Sequence, residues 1–166
     1  MRPVIGLDIA KRVFQLHTVD SSSGEIHRAK LKRAELLEYF GTLSPAIVAM
    51  EACGSSNHWA RRFTAMGHEA RLIATKFVRP FVKTNKTDAA DAAAIWEAAQ
   101  RPGMRFVPVK SELQQGILAL HNMRELLVKS RTAQLHQLRA VVHHSLLSGD
   151  GWGLFDYRAW GLLDYR

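Results

Sequence analysis

The sequence carries a single cysteine, Cys53, in 166 residues. One thiol excludes an internal disulfide framework and any multi-cysteine metal knot, and it makes a reducing, cytoplasmic setting the expectation. No stretch approaches the roughly 18 apolar residues that a bilayer-crossing helix needs, so no membrane partner is expected. The opening Met1-Arg2-Pro3-Val4 enters a strand-like run at once, without the apolar core and small-residue cleavage site of a secretory leader. A glycine-rich phosphate loop of Walker type is missing as well. Acid is the scarcer charge, with 15 Asp and Glu against 23 Lys and Arg, for a net charge of +8. That imbalance and a pI near 10.1 point to a polyanionic partner, most commonly nucleic acid.

What is present reads as a globular chain: 47% of residues are apolar and 23% charged. The basic residues are unevenly spread. Residues 71–86 hold Arg71, Lys76, Arg79, Lys83 and Lys86 and no acid, and residues 101–147 hold seven Lys or Arg against Glu112 and Glu125. A solvated face accounts for such runs; so does contact with phosphates, which releases counterions and makes binding salt-dependent.

Hydrophobic patterning organises the chain. Residues 4–9 form a short apolar run, residues 13–19 are rich in β-branched and aromatic residues, and residues 25–31 follow a Ser-Gly turn cluster. Three strands in an antiparallel meander are therefore predicted. Leu36, Leu37 and Phe40 put a helix over 33–43. Residues 46–50 form a buried strand running into Glu51, residues 58–66 a helix stopped by Gly67, and residues 68–75 a further strand. Thr87 is a suitable N-cap for an alanine-rich helix over 88–100, which Arg101-Pro102-Gly103 breaks. Residues 105–109 are a short extended piece. One long helix over 111–147 follows, with heptad-like spacing of Leu120 and Leu127 and of Val128, Leu135 and Val142. The expected fold class is α/β with a mixed, ribonuclease H-like sheet and flanking helices, followed by the long helix. The expected organisation is a domain over 1–109, a helical arm over 110–147 and an atypical tail over 148–166. In that tail Trp152-Gly153-Leu154-Phe155-Asp156-Tyr157-Arg158 recurs eight residues later with one change, Leu163 for Phe155.

Four carboxylates stand at element ends. Asp8 lies in an apolar strand, where a charge is costly unless paired or bound to a metal. Glu51 ends a second strand. Asp88 and Asp91, three apart, share one face at the start of a helix. Brought together, they would repel one another, and Mg²⁺ or Mn²⁺, hard cations that take oxygen ligands, would relieve the repulsion. Taken singly, each has another reading: Asp8 at a loop end, Glu51 capping the next turn, Asp88 and Asp91 favouring a positive helix N-terminus.

The text around these residues resembles the insertion-sequence 110 family of DEDD transposases and its Piv-type invertase relatives. Gly6-Leu7-Asp8-Ile9-Ala10-Lys11, Met50-Glu51-Ala52-Cys53-Gly54 and Lys86-Thr87-Asp88-Ala89-Ala90-Asp91-Ala92 carry the likeness. Trp59-Ala60-Arg61-Arg62, Gly67-His68-Glu69 and Phe106-Val107-Pro108-Val109-Lys110-Ser111 support it over residues 2–143. The resemblance implies a RuvC-like catalytic domain with Asp8, Glu51, Asp88 and Asp91 as metal-binding residues for Mg²⁺ or Mn²⁺. It also implies DNA strand cleavage and exchange, a guide non-coding RNA, and a homo-oligomer, dimer or tetramer, assembled through the long helix. Nucleic-acid contacts are expected at Lys11, Arg71, Lys76, Arg79, Lys83, Lys86, Arg124, Lys129, Arg131 and Arg139. Members have a second domain with a nucleophilic serine; Ser145 and Ser148 lie in the stretch that departs from the family's text, and neither is taken as that nucleophile.

Competing readings are a nucleic-acid-binding or assembly fragment without chemistry of its own, a RuvC-type Holliday-junction nuclease, and an actin- or sugar-kinase-like ATPase. The ATPase class needs glycines after the first aspartate, where Ile9-Ala10-Lys11 stand instead. Cys53 is read as a small core residue rather than a catalytic thiol. The adjacent His143 and His144 point apart on a helix and are read as surface residues.

Overall fold

The computed structural model describes residues 2–82 and 88–147, with side chains through residue 144. The strands are β1 (Val4–Ile9), β2 (Val13–Val19), β3 (Ile26–Lys32), β4 (Ile47–Glu51), β5 (Glu69–Ile73) and β6 (Phe106–Val107). The helices are α1 (Leu36–Thr42), α2 (Ser56–Ala65), the single turn α3 (Thr75–Val78) continued by a 3₁₀ turn (Arg79–Phe81), α4 (Asp88–Ala99) and α5 (Glu112–Leu147). Two compact units result, Met1–Gln114 and Gln115–Arg166.

The six strands form one sheet in the order β3-β2-β1-β4-β5-β6. β1, β2 and β3 are an antiparallel meander; β4 joins β1 in parallel, and β5 joins β4 in parallel. This is the ribonuclease H-like layout expected from the order of elements. β6 closes the far edge antiparallel to β5, pairing Phe106 with Ile73 and Val107 with Leu72. The extended piece at 105–109 thus becomes a sixth strand.

Period-two alternation sends successive side chains to opposite faces. Ile5, Leu7, Phe14, Leu16, Val48, Met50 and Leu72 face α1 and α2, where they meet the buried Leu36, Phe40, Trp59 and Phe63. Removing aromatic rings of this size from water stabilises each by about 1.5–3 kcal/mol. Phe40 and Phe63 touch at 4.4 Å between centroids. Buried His68 staples this layer: the Ala46 N–H donates to Nδ1 at 3.1 Å, which leaves Nε2 to donate to the Phe40 carbonyl at 3.0 Å. The opposite face, with Ala49 and Ile73, packs on Val78 of α3 and on Ala94, Ile95, Ala98 and Ala99 of α4.

Local details depart from the sequence expectation at the ends. α2 starts at Ser56, two residues early, because the Ser56 hydroxyl accepts the Cys53 N–H at 3.0 Å and donates back to the Cys53 carbonyl at 2.9 Å. Gly67 stops the segment at φ 89°, as a left-handed turn requires. β5 ends at Ile73, and Thr75 starts α3 instead of ending the strand. Downstream, buried Asn57 accepts the Lys110 N–H at 2.8 Å, and Arg61 donates to the Lys110 carbonyl at 2.6 Å, which ties Lys110 to α2. The expected cap Thr87 and the repeated tail over 148–166 lie outside the described residues.

Candidate metal centre

One glycine lets α4 lie on the sheet. Gly6 is buried in β1 and faces α4. A Cβ there would stand 2.3 Å from the Ala92 carbonyl oxygen, 2.6 Å from the Trp96 nitrogen and 2.7 Å from the Trp96 Cβ. No other residue type fits against a helix backbone at that distance. From this contact, two residues further along β1 is a step of about 6.6 Å to Asp8. One turn back along α4 is a step of about 5.4 Å to the level of Asp88 and Asp91. The N-terminus of α4 therefore comes to the end of β1 that carries Asp8.

Glu51 arrives by strand register. β1 and β4 pair Gly6 with Ala49 and Leu7 with Met50, and the same register continued by one residue sets Asp8 beside Glu51. Both lie on the α4 face, since Gly6 and Ala49 do. Strand register and the seating of α4 thus bring the four expected carboxylates to the same end of the sheet, the C-terminal end of the parallel strands, near enough for each of the others to act on Asp8. Asp8, Glu51 and Asp91 are half-buried and Asp88 is exposed.

The electrostatics carry the mark of that meeting. Burial pushes the Asp8 carboxyl up from its ordinary 3.8 to about 6, and the negative charges of Asp91, Asp88 and Glu51 add to the effect in that order. Asp88 and Asp91 sit in the first turn of α4, where the helix dipole favours acids. That benefit does not spare Asp8 their repulsion. Among the described residues, no three His, Cys, Asp or Glu side chains already stand close enough to share one ion. The donor set nevertheless fits a hard divalent cation: it is all oxygen, and the other three charges act on Asp8 with no compensating base among the described residues.

Thr75 is a participant that sequence reasoning missed. Its hydroxyl donates to Glu51 Oε1 at 2.5 Å from the first position of α3. Only the turn after β5 brings it there, and a residue read as the end of a strand gives no such signal. Thr75→Val is expected to lower stability by about 1–2 kcal/mol, the scale of a lost hydrogen bond to a charged acceptor. Urea unfolding checks this, with Thr75→Ser retaining most of the stability; a Val variant with the wild-type midpoint would count against a hold on Glu51.

The expected nucleic-acid contacts are dispersed. Lys11 and Arg79 are exposed, and Lys76, also exposed, has its Nζ 4.9 Å from the centre of the Phe77 ring. Arg71 is engaged, paired with Glu69 at 2.7 Å and lying over the Phe106 ring. Lys83 and Lys86 lie outside the described residues, and Arg124, Lys129, Arg131 and Arg139 are exposed on α5. Cys53 is exposed, not a core residue, and its thiol lies 3.4 Å from the Ser55 hydroxyl. His143 and His144 are exposed, as expected of surface residues.

Comparison with known proteins bears on this arrangement. The family of DEDD transposases of the IS110 type, described as Transposase, matches residues 5–145. A Pseudomonas aeruginosa protein named "Probable family 20 transposase" is 51% identical over 138 residues, 83% of this chain and 41% of that protein. The transposase for insertion sequence element IS1111A of Coxiella burnetii is 45% identical over 139 residues, 84% of this chain and 38% of that protein. The transposase for insertion sequence element IS1328 of Yersinia enterocolitica is 41% identical over 137 residues, 82% of this chain and 41% of that protein. The chain thus spans about two-fifths of the length of these relatives. Among solved structures, T. thermophilus RuvC in complex with a Holliday junction substrate aligns with a TM-score of 0.46 and 15% identity, over 64% of this chain and 100% of that one.

Proposed function

The chain belongs to the IS110-type DEDD transposase family, and from that premise we propose that residues 1–109 form the metal-dependent catalytic domain of a DNA transposase, with Asp8, Glu51, Asp88 and Asp91 as its metal ligands. The observation that carries this reading is the placement of the acids: strand register sets Glu51 beside Asp8, and α4, seated on Gly6, brings the first-turn Asp88 and Asp91 to the same end of the sheet. Negative charge gathered from β1, β4 and α4, with no compensating base among the described residues, is a poor structural device, and it is what a cation site needs.

Mg²⁺ or Mn²⁺ held there would activate an attacking oxygen and steady the leaving oxygen of a phosphodiester. The chain's own residues do the positioning. Asp8 is the central carboxylate, fixed by a strand paired on both sides. Thr75 orients Glu51. Asp88 and Asp91 are set by the seating of α4 on Gly6. DNA is the substrate, and a guide RNA selects it. The helix over 110–147 serves as the assembly arm of a homo-oligomer. Leu120, Leu127, Val128, Leu135 and Val142, the expected seam residues, are all exposed, which supports that role.

Calorimetry with Mn²⁺ tests the site. Wild type is expected to bind, and Asp8→Asn and Asp88→Asn each to weaken binding at least about tenfold, the cost of about 1.4 kcal/mol. Failure of wild type to bind Mn²⁺ both alone and with DNA and RNA present would leave the carboxylates structural and favour the assembly-fragment reading.

A further inference from the structure

Among the described residues, the face of the sheet that carries Asp8 is only partly covered. α4 lies over β1 and β2. β3, the edge strand, carries exposed residues on that side among the described residues. Its Ala29 and Leu31 turn to the opposite face, where they pack against the core. Alternation therefore puts Arg28, Lys30 and Lys32 on the Asp8 face, and all three are exposed. A cleft of about 460 Å³ between this edge and α4 confirms the orientation, since Arg28 of β3 and Trp96 of α4 both line it. Burial, and then the nearby Arg28, hold the His17 ring below its ordinary pKa, consistent with the pairing of His17 and Arg28 across the strands.

The register ties this edge to the carboxylates. Asp8 pairs with Gln15, and Gln15 pairs with Lys30, so the three form one row across the sheet. Two strand spacings place Lys30 roughly 10 Å from Asp8, Cα to Cα. Arg28, Lys30 and Lys32 are spaced by roughly 6.6 Å, and the ladder runs toward the end of the sheet that holds Asp8. The turn beyond that end carries exposed Lys11 and Arg12, and the Arg33 N–H that follows β3 donates to the Arg12 carbonyl at 3.2 Å. None of the three ladder side chains has an ion-pair partner among the described residues, whereas Arg2, Arg61, Arg71 and Arg101 all do.

We propose that Arg28, Lys30 and Lys32 form a phosphate track on which the backbone of one DNA strand lies as it reaches the carboxylates. The identity of the polyanion as DNA rests on the transposase reading; the track itself rests on the geometry of β3. Charged residues also guard edge strands against pairing with other chains. Guarding needs neither one sign, nor one face, nor alignment with Asp8, and all three are present.

The test is the salt dependence of binding to a duplex DNA oligonucleotide by the full chain. The triple variant Arg28→Gln, Lys30→Gln, Lys32→Gln is compared with wild type and with Arg62→Gln, an exposed position on α2 across the sheet. Each lost phosphate contact lowers the slope of log K against log salt by about 0.9, so the triple variant is expected to lose about 2–3 units. Arg62→Gln is expected to lose less than one. A triple variant with the wild-type slope, or one that loses slope with a matching RNA but not with DNA, overturns the proposal. Mn²⁺ calorimetry on the same proteins separates the two readings. If the slope falls while wild type binds no ion, the metal site fails and the track stands; if ion binding is lost on Asp8→Asn while the ladder leaves the slope unmoved, the track fails and the metal site stands.

Discussion

Gly6→Ala is expected to destabilise the protein by about 3 kcal/mol or more, at the upper end of what a single methyl costs in a packed interior. The added Cβ would meet the Ala92 carbonyl oxygen at 2.3 Å and Trp96 backbone nitrogen at 2.6 Å. These atoms are helix backbone, and no rotamer change removes them. α4 must lift by about 1 Å or tilt, and either movement opens the contact of its Ile95 and Ala98 with Ala49 and Ile73 of the sheet. A loss of this size lowers the melting temperature by roughly 6–12 °C in a chain of this length. The displacement also carries Asp88 and Asp91 away from Asp8, so Mn²⁺ affinity falls with stability. Gly41→Ala is the control: the added methyl in α1 meets only Met66 Cε, at an ordinary 3.7 Å, and exchanging a helical glycine for alanine is neutral or stabilising. If thermal melts put Gly6→Ala within about 0.5 kcal/mol of wild type, α4 does not sit as described.

The second large effect is a gain. In metal-free protein, Asp8→Asn is expected to raise stability at pH 7–8. The folded carboxyl titrates near 6 against 3.8 ordinarily, so the folded state binds its proton more tightly than the unfolded chain does. Between those values the folded state carries more protons, and stability falls as pH rises. The penalty is absent below about pH 4 and complete above about pH 6. The full shift would correspond to about 3 kcal/mol; solvent screening of a half-buried group reduces this to about 1–2 kcal/mol. Urea unfolding in EDTA across pH 4–8 checks the sign. The wild-type curve should decline through that window, and Asp8→Asn should show a shallower decline and lie above it at the alkaline end. Added Mn²⁺ should reverse the order, because the ion stabilises only the protein that binds it. A wild type that gains stability between pH 4 and 6 from this group would contradict the cause assigned to its shift.

These two residues differ in how far the sequence announces them. Asp8 is conspicuous because a charge in Val4-Ile5-Gly6-Leu7-Asp8-Ile9 breaks an apolar strand, and period-two alternation already assigns it a face. Asp88 and Asp91 are legible from their three-residue spacing at the head of an alanine-rich helix. The mixed sheet follows from the order of strands and helices, since a tight meander pairs antiparallel and a helical crossover returns parallel. Gly6 is different: the need for a missing Cβ arises only when α4, more than 80 residues away, comes down on β1. Thr75 and the 3₁₀ turn after it are hidden because elements of three or four residues show no period. β6 is hidden for the same reason, as its two residues are a strand only by pairing with β5. The basic ladder on β3 was readable as alternation, but its meaning depended on which face α4 would leave open.

The long helix α5 has a consequence of another kind. Its 36 residues carry Leu118, Leu120, Met123, Leu126, Leu127, Leu135, Leu138, Val141 and Val142 exposed to water. The sheet obtains its stability from atoms in the same molecule, which accompany it at any dilution. α5 has apolar surface whose desolvation is worth about 25 cal/mol for each Å² covered, and that gain is realised only when another surface arrives. If the proposed assembly role holds, the stability of α5 is partly a matter of molarity, and one polypeptide would combine a structure indifferent to how many copies are made with one that responds to their number.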